Sequence, residues 1–116
     1  METQLEYMVM NLTIISKGVF MTSKQRAYLK GLAMTEDTIF HIGKNSLTPE
    51  FTQAIDEALE KRELIKLNVL KNCADDPKVL GEMVAERTKS TLVQVIGKKI
   101  VLYRPNKDKP KIVLPK

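Results

Sequence analysis

The chain has 116 residues with 19 lysines and arginines against 14 acids, a net charge of +5, and its 43% apolar and 28% charged residues describe a soluble globular domain large enough for one ordinary core. Lone Cys73 excludes an internal disulfide and points to a reducing cytoplasm, while lone His41, with no CxxC pair anywhere, excludes the usual zinc patterns and a histidine-based catalytic triad. The positive balance favours a polyanionic partner.

Residues 1–20, "METQLEYMVMNLTIISKGVF", carry acids where a secretory signal needs cations, and Asn11 interrupts their apolar stretch. They are neither a signal peptide nor a membrane span. Packing on the domain through Val9, Leu12, Ile14 and Ile15 is one reading. The favoured one takes residues 1–20 as a leader outside the native protein, since Lys17, Gly18 and Val19 are encodable as a purine-rich ribosome-binding site just before Met21.

From Met21 the elements follow in order. Thr22 and Ser23 are good N-caps, and Tyr28, Leu29 and Leu32 recur at helical spacing, which predicts a first helix over 23–33. Ile39 to Ile42 reads as a short buried strand and Gly43 to Ser46 as a loop. Thr48 then caps a second helix with Pro49 at its first position and an apolar stripe of Phe51, Ala54, Ile55, Ala58 and Leu59, opposite Gln53, Asp56, Glu57 and Glu60. In "LIKLNVL", residues 64–70, Ile65, Leu67 and Val69 alternate with Lys66 and Asn68, the period of a strand. Asp76 and Pro77 open a third helix with an expected inner face of Val79, Leu80, Met83 and Val84, and Arg87 in its last turn either snorkels to solvent or bonds the terminal carbonyls. "TLVQVIGKKIVLYRP" reads as two strands joined at Gly97 and Lys98, where glycine in first place suits a type II′ turn. The resulting order is α-β-α-β-α-β-β. Right-handed crossovers make the first three strands parallel, and the closing hairpin turns the fourth against them. This predicts an α/β two-layer sandwich with a mixed four-stranded sheet.

The tail, residues 106–116 with the preceding Arg104 and Pro105, holds five cations against Asp108, with prolines at 105, 110 and 115. A solvated basic arm and a segment docked through Ile112, Val113 and Leu114 are both open readings. The first helix carries Lys24, Arg26 and Lys30 and no acid, and its like-charge pair Arg26–Lys30 costs roughly 0.2–0.5 kcal/mol in an isolated helix. An anionic partner offsets that cost. In "FHIGKNSLTPEF", residues 40–51, Gly43 and small polar residues precede a helix start, where unpartnered N–H groups attract phosphate; Lys44 adds charge, and Asn45 tolerates a left-handed backbone.

Together, "TSKQRAYLKGLA", "IFHIGKNSLTPEF", "IDEALEKRELIKLNVL" and "TLVQVIGKKIVLYRP" resemble the CRM domain, the chloroplast RNA splicing and ribosome maturation module, in its stand-alone bacterial YhbY-like form. The likeness runs from about Met21 to Pro105. It implies a fold related to the C-terminal domain of a bacterial initiation factor, RNA binding, and association with precursors of the large ribosomal subunit. The family's RNA contact is a Gly-x-x-Gly loop after the first strand with neighbouring basic residues. Gly43 and Lys44 match its first half, and Ser46 stands where the second glycine belongs.

The expected function is therefore non-catalytic binding of ribosomal RNA during assembly, by a cytoplasmic monomer with no cofactor, metal, membrane or small-molecule substrate. Lys44 pairs with phosphate, Gly43 permits close approach, and Asn45 and Ser46 supply hydrogen bonds. Lys24, Arg26 and Lys30 extend the patch, with Lys98 and Lys99 at the hairpin as further contacts. Lys66, Asn68 and Gln94 at outward positions leave no aromatic platform for RRM-like stacking. The alternatives are a protein-interaction module of a ribosome-associated complex and a small RNA- or nucleotide-acting enzyme, for which no convergent acid/base pair can be named.

Overall fold

The computed structural model describes residues 21–116. The expectation of a leader and of a start at Met21 lies outside the described residues. Helix α1 spans Ser23–Ala33, β1 Thr38–Ile42, α2 Pro49–Arg62, β2 Leu64–Val69, α3 Pro77–Thr88, β3 Thr91–Ile96 and β4 Lys99–Tyr103. The α/β class, the element order and the mixed four-stranded sheet are as the sequence predicts.

Local chemistry starts each helix. Thr22 and Gln25 form a reciprocal capping box on α1, with Gln25 N–H donating to Thr22 Oγ1 at 3.1 Å and Thr22 N–H donating to Gln25 Oε1 at 3.2 Å. Thr48 caps α2 by accepting from Phe51 N–H at 3.0 Å, and Asp76 caps α3, both helices having proline in the first turn. Two inward assignments need correction. Tyr28 is 43% exposed, because Leu29 and Ala33, four apart, take the buried line of α1. Val79 is 49% exposed, and α3 buries Leu80, Gly81, Val84, Ala85 and Thr88 instead. Gly81 sets that rotation, since a Cβ there would stand only 3.0 Å from Leu92 Cδ1 on the sheet below.

The strands lie in the order β1-β2-β4-β3, with β1 and β2 parallel and β4 antiparallel to both β2 and β3. The first three strands thus run one way, and β4 is inserted between β2 and β3. The hairpin closes with Ile96 opposite Lys99, and Gly97 has φ of 58° while Lys98 keeps negative φ, as a type II′ turn requires.

Alternation along the strands builds two cores. Ile65, Leu67 and Val69 of β2 and Ile100 and Leu102 of β4 pack with Ile55 and Leu59 of α2 and Leu80 and Val84 of α3. Phe40 of β1 meets Phe51 of α2 edge-on, with ring centroids 5.5 Å apart. This sheet and the α2–α3 layer make the sandwich. On the other face Leu64, Val93, Val101 and Tyr103 pack with Leu29 and Ala33, so α1 adds a partial layer there.

The C-terminal segment is docked. Glu63, the single residue between α2 and β2, is fully buried, and its carboxylate accepts from the backbone N–H groups of Asn106, Lys111 and Ile112 at 2.7–2.9 Å. Ile112 and Leu114 then pack on the α1-side cluster, Gln25 Nε2 donates to Pro115 O at 3.0 Å, and Val113 stays outside. Arg104 ties three elements: one guanidinium nitrogen donates to Asp56 Oδ1 at 2.6 Å and Thr88 O at 2.7 Å, the other to Asp56 O at 2.9 Å.

Candidate nucleic-acid interface

The end of the sheet where β1, β2 and β3 finish gathers the loops. Leu70 N–H donates to Ile42 O and Val69 N–H to Lys98 O, each at 2.8 Å, which sets the Gly43–Ser46 turn, the 70–76 connection and the Gly97–Lys98 hairpin along one edge.

The 43–46 loop is a β-turn closed by Ser46 N–H donating to Gly43 O at 3.0 Å. Lys44 and Asn45 at its tip are exposed. The left-handed residue is Ser46, with φ of 54°, where Asn45 was the expected one. The serine thus adopts at the position of the second glycine the backbone that a glycine accommodates. Its hydroxyl donates to Asp75 Oδ2 at 2.6 Å, so it is engaged by a carboxylate and not left free for a phosphate. Gly43 has ordinary φ and faces Asn72, whose Oδ1 would lie 3.4 Å from an added Cβ.

The helix mouth beyond the loop is also less open than expected. Pro49 has no N–H, Phe51 N–H is taken by Thr48, and Glu50 already places a carboxylate in the first turn of α2. Those groups answer the helix dipole internally, so the loop's own cation, Lys44, is the attractive feature there.

The basic residues of α1 divide. Arg26 donates from one nitrogen to the carbonyls of Leu92 at 2.9 Å and Val93 at 2.7 Å, tying α1 to β3. Both carbonyls are offered by a bulge, where β3 shifts register between Leu92 and Gln94 against β4. Lys24 sits in the first turn beside Gln25, at the end where the tail docks. Lys30 lies in the last turn of α1 and faces Lys66 and Lys99 across a groove between that helix and the sheet. Among the described residues none of these three lysines takes part in an ion pair.

The groove has a volume of about 460 Å³, a floor formed by Val101 and Ala33, and walls carrying Met34 and Ile96. The β3 bulge shapes it, since Val93 is buried beneath α1 and Gln94, the next residue, also turns to this side. From apolar Ile96 at the groove a row of register partners crosses the sheet, its other three members polar: Ile96 opposite Lys99, Lys99 opposite Asn68, Asn68 opposite His41. His41 is exposed, with its Nδ1 3.4 Å from Asn68 Nδ2. Adjacent strands are ~4.8 Å apart, so this row spans about 15 Å. Sequence reasoning read Lys66 as merely outward-pointing; the missing signal is the crossing of α1 over β2 and β4, which no local pattern encodes.

Residues 21–104 match the family described as the CRS1 / YhbY (CRM) domain. The chain belongs to the CRS1/YhbY (CRM) domain family. Among similar CRM proteins, the Bacillus subtilis "Probable RNA-binding protein YqeI" is 41% identical over 95 residues, which cover 82% of this chain and 99% of that one. A Haemophilus influenzae protein named "RNA-binding protein" is 35% identical, over 83% of this chain and 96% of its own. The solution structure of the hypothetical protein SAV1595 from Staphylococcus aureus superposes with a TM-score of 0.70 at 49% identity, covering 83% of this chain and all of that one. The CRM match thus takes in every helix and strand described above, together with the turn and the three groove lysines.

No helix among the described residues is long and apolar enough to cross a membrane, and among them no group of three or more His, Cys, Asp or Glu side chains is arranged to hold a metal ion.

Proposed function

We propose that this chain is a non-catalytic RNA-binding protein that grips ribosomal RNA in precursors of the large ribosomal subunit, working as a monomer in the cytoplasm. The observation that carries the reading is the gathering of Lys30, Lys66 and Lys99 on one open face with no acid among the groove-lining residues. Lys44 on the Gly43–Ser46 turn and Lys98 on the hairpin supply cations along the adjoining edge, and Asn45 supplies an exposed amide. Lys24 lies farther along α1 as an outlying contact, and Arg26 serves first as the tie to β3. The names of the relatives support RNA as the ligand, and the family likeness supports the ribosomal precursor. With acids turned away on α2 and no aromatic platform on the sheet, recognition rests on phosphates and RNA shape.

Two experiments test it. Extract sedimented on a gradient at low salt should carry the protein with large-subunit precursors, and ribonuclease should return it to the top. Co-sedimentation that survives ribonuclease would move the contact to protein, and migration at the top throughout would remove the ribosomal partner. With purified RNA, Lys66→Ala and Lys44→Ala should each flatten the slope of log affinity against log salt by about 1, the contribution of one neutralised phosphate.

A further inference from the structure

We infer that the groove between α1 and the sheet receives an unstacked nucleobase, so that the RNA target presents a single-stranded or bulged nucleotide at this face. The inference rests on the RNA-binding reading and adds to it the kind of RNA engaged.

A site that held only phosphates would need cations and no apolar floor. This groove has both. Met34 is 82% exposed and Ile96 59% exposed, both lining the same opening as the three lysines. Its volume of about 460 Å³ lies within the range of roughly 300–1,000 Å³ of clefts that take small ligands. A base is flat and largely apolar on its faces, and its flanking phosphates are anionic. Val101, Ile96 and the Met34 thioether can cover a base face, sulfur being a favourable neighbour for an aromatic ring. Lys30 on the helix side and Lys66 and Lys99 on the sheet side then bracket the strand entering and leaving. Gln94, turned into the groove by the bulge, offers an amide that both donates and accepts along a base edge. A continuous duplex keeps its base faces stacked inside and presents phosphates, riboses and base edges, leaving Met34 and Ile96 without a flat apolar partner. Charge complementarity selects RNA over an apolar peptide, and the apolar floor selects an extruded base over a duplex surface.

Gly31 provides a clean test. It is an exposed residue lining the groove, and a Cβ built on it meets nothing within 4 Å, so Gly31→Leu starts from open space, adds bulk to the opening and retains every lysine. The full chain and this variant are titrated with a short single-stranded RNA and with a blunt RNA duplex of equal charge, alongside Ile96→Thr, which strips an exposed side chain from the wall without touching the core. Gly31→Leu should weaken the single strand about tenfold, or ~1.4 kcal/mol, and leave the duplex within about twofold. Ile96→Thr should act in the same direction by less. An undiminished single-strand affinity in both variants, or an equal loss on both RNAs, overturns the groove's role. The combined Lys30→Ala, Lys66→Ala, Lys99→Ala variant separates the two readings. If it weakens both RNAs while Gly31→Leu does nothing, the interface stands and the base site falls; if it changes neither, the interface falls as well.

Discussion

Ser46, Glu63 and Lys89 are the non-glycine residues with positive φ among those described, at 54°, 67° and 55°, and their side chains distinguish them. An L-residue in the left-handed helical region, as Lys89 is, costs about 1–2 kcal/mol, and Glu63, at ψ of −44°, lies outside even that region. Ser46 offsets this with its bond to Asp75, and Glu63 with its three backbone donors. Lys89, the C-cap of α3, is an exposed side chain whose backbone N–H alone makes the cap, to the carbonyls of Ala85 and Glu86. Lys89→Gly should therefore raise stability by ~0.5–1 kcal/mol in thermal or urea unfolding, after the flexibility of glycine in the unfolded chain is deducted. Asp75 sets an exposed carboxylate on the proposed RNA edge. Asp75→Asn should tighten RNA binding by about threefold at low salt, with the gain shrinking as salt rises; an unchanged affinity would put the 43–46 turn outside the contact. The sequence displayed the turn itself, because Gly43, Asn45 and Ser46 are turn residues by local chemistry. Asp75, 29 positions from Ser46, left no local trace, and neither did the carbonyl pair that captures Arg26.

Helices and strands were legible wherever their signals are local. Thr48–Pro49 and Asp76–Pro77 start α2 and α3 where capping chemistry says, and Lys66 and Asn68 alternate as a strand must. What escaped is how elements meet: the rotation of α3 set by Gly81, the placement of α1 on the second face, and the anchor that decides between the two open readings of the tail in favour of docking. Glu63 controls the last. Burial pushes its carboxyl up, but the N–H groups of Asn106, Ile112 and Lys111 and the charge of Lys111 outweigh that, leaving it below the ordinary 4.5. Its contribution is complete above pH 4.5 and is lost as pH falls through the lowered value. Tyr103 titrates in the opposite sense, pushed above 10.0 by burial and then by the negative charge of Glu63, so its contribution is complete below pH 10.0 and fades as pH rises through the raised value. Glu63→Ala strands three buried-side N–H groups and should cost on the order of 2–4 kcal/mol. Glu63→Gln should leave the acid limb of the stability profile flatter and bring the Tyr103 ionisation, followed by ultraviolet absorbance, back toward 10.0. An unshifted tyrosine titration in that variant would contradict the influence of the Glu63 charge on Tyr103.

At the scale of the molecule, the two sheet faces differ in how their charges are arranged. On the α2–α3 side Asp56 and Glu60 pair with Arg104 among further cations such as Lys61, Arg62 and Arg87, while Lys30, Lys66 and Lys99 open on the α1 side with no acid among the groove-lining residues. On the proposed reading, that groove turns the α1 side of the domain toward a polyanion. The strand directions followed from the crossover rule, but the order β1-β2-β4-β3 did not, since sequence proximity would equally have set β3 beside β2. That order makes Leu102 and Ile100 of β4, both fully buried, the centre of the sheet. Truncation before Lys99 should abolish the cooperative unfolding transition, because among the described residues β3 loses its only pairing strand and β2 one of two. Synthesis feels the same constraint. A nascent chain emerging from the exit tunnel has its first three strands in solution before the keystone arrives, and the segment that closes over Glu63 follows later still. Native structure waits for β4 and for the segment over Glu63, and until both have emerged Ile65, Leu67 and Val93 lack the neighbours that bury them.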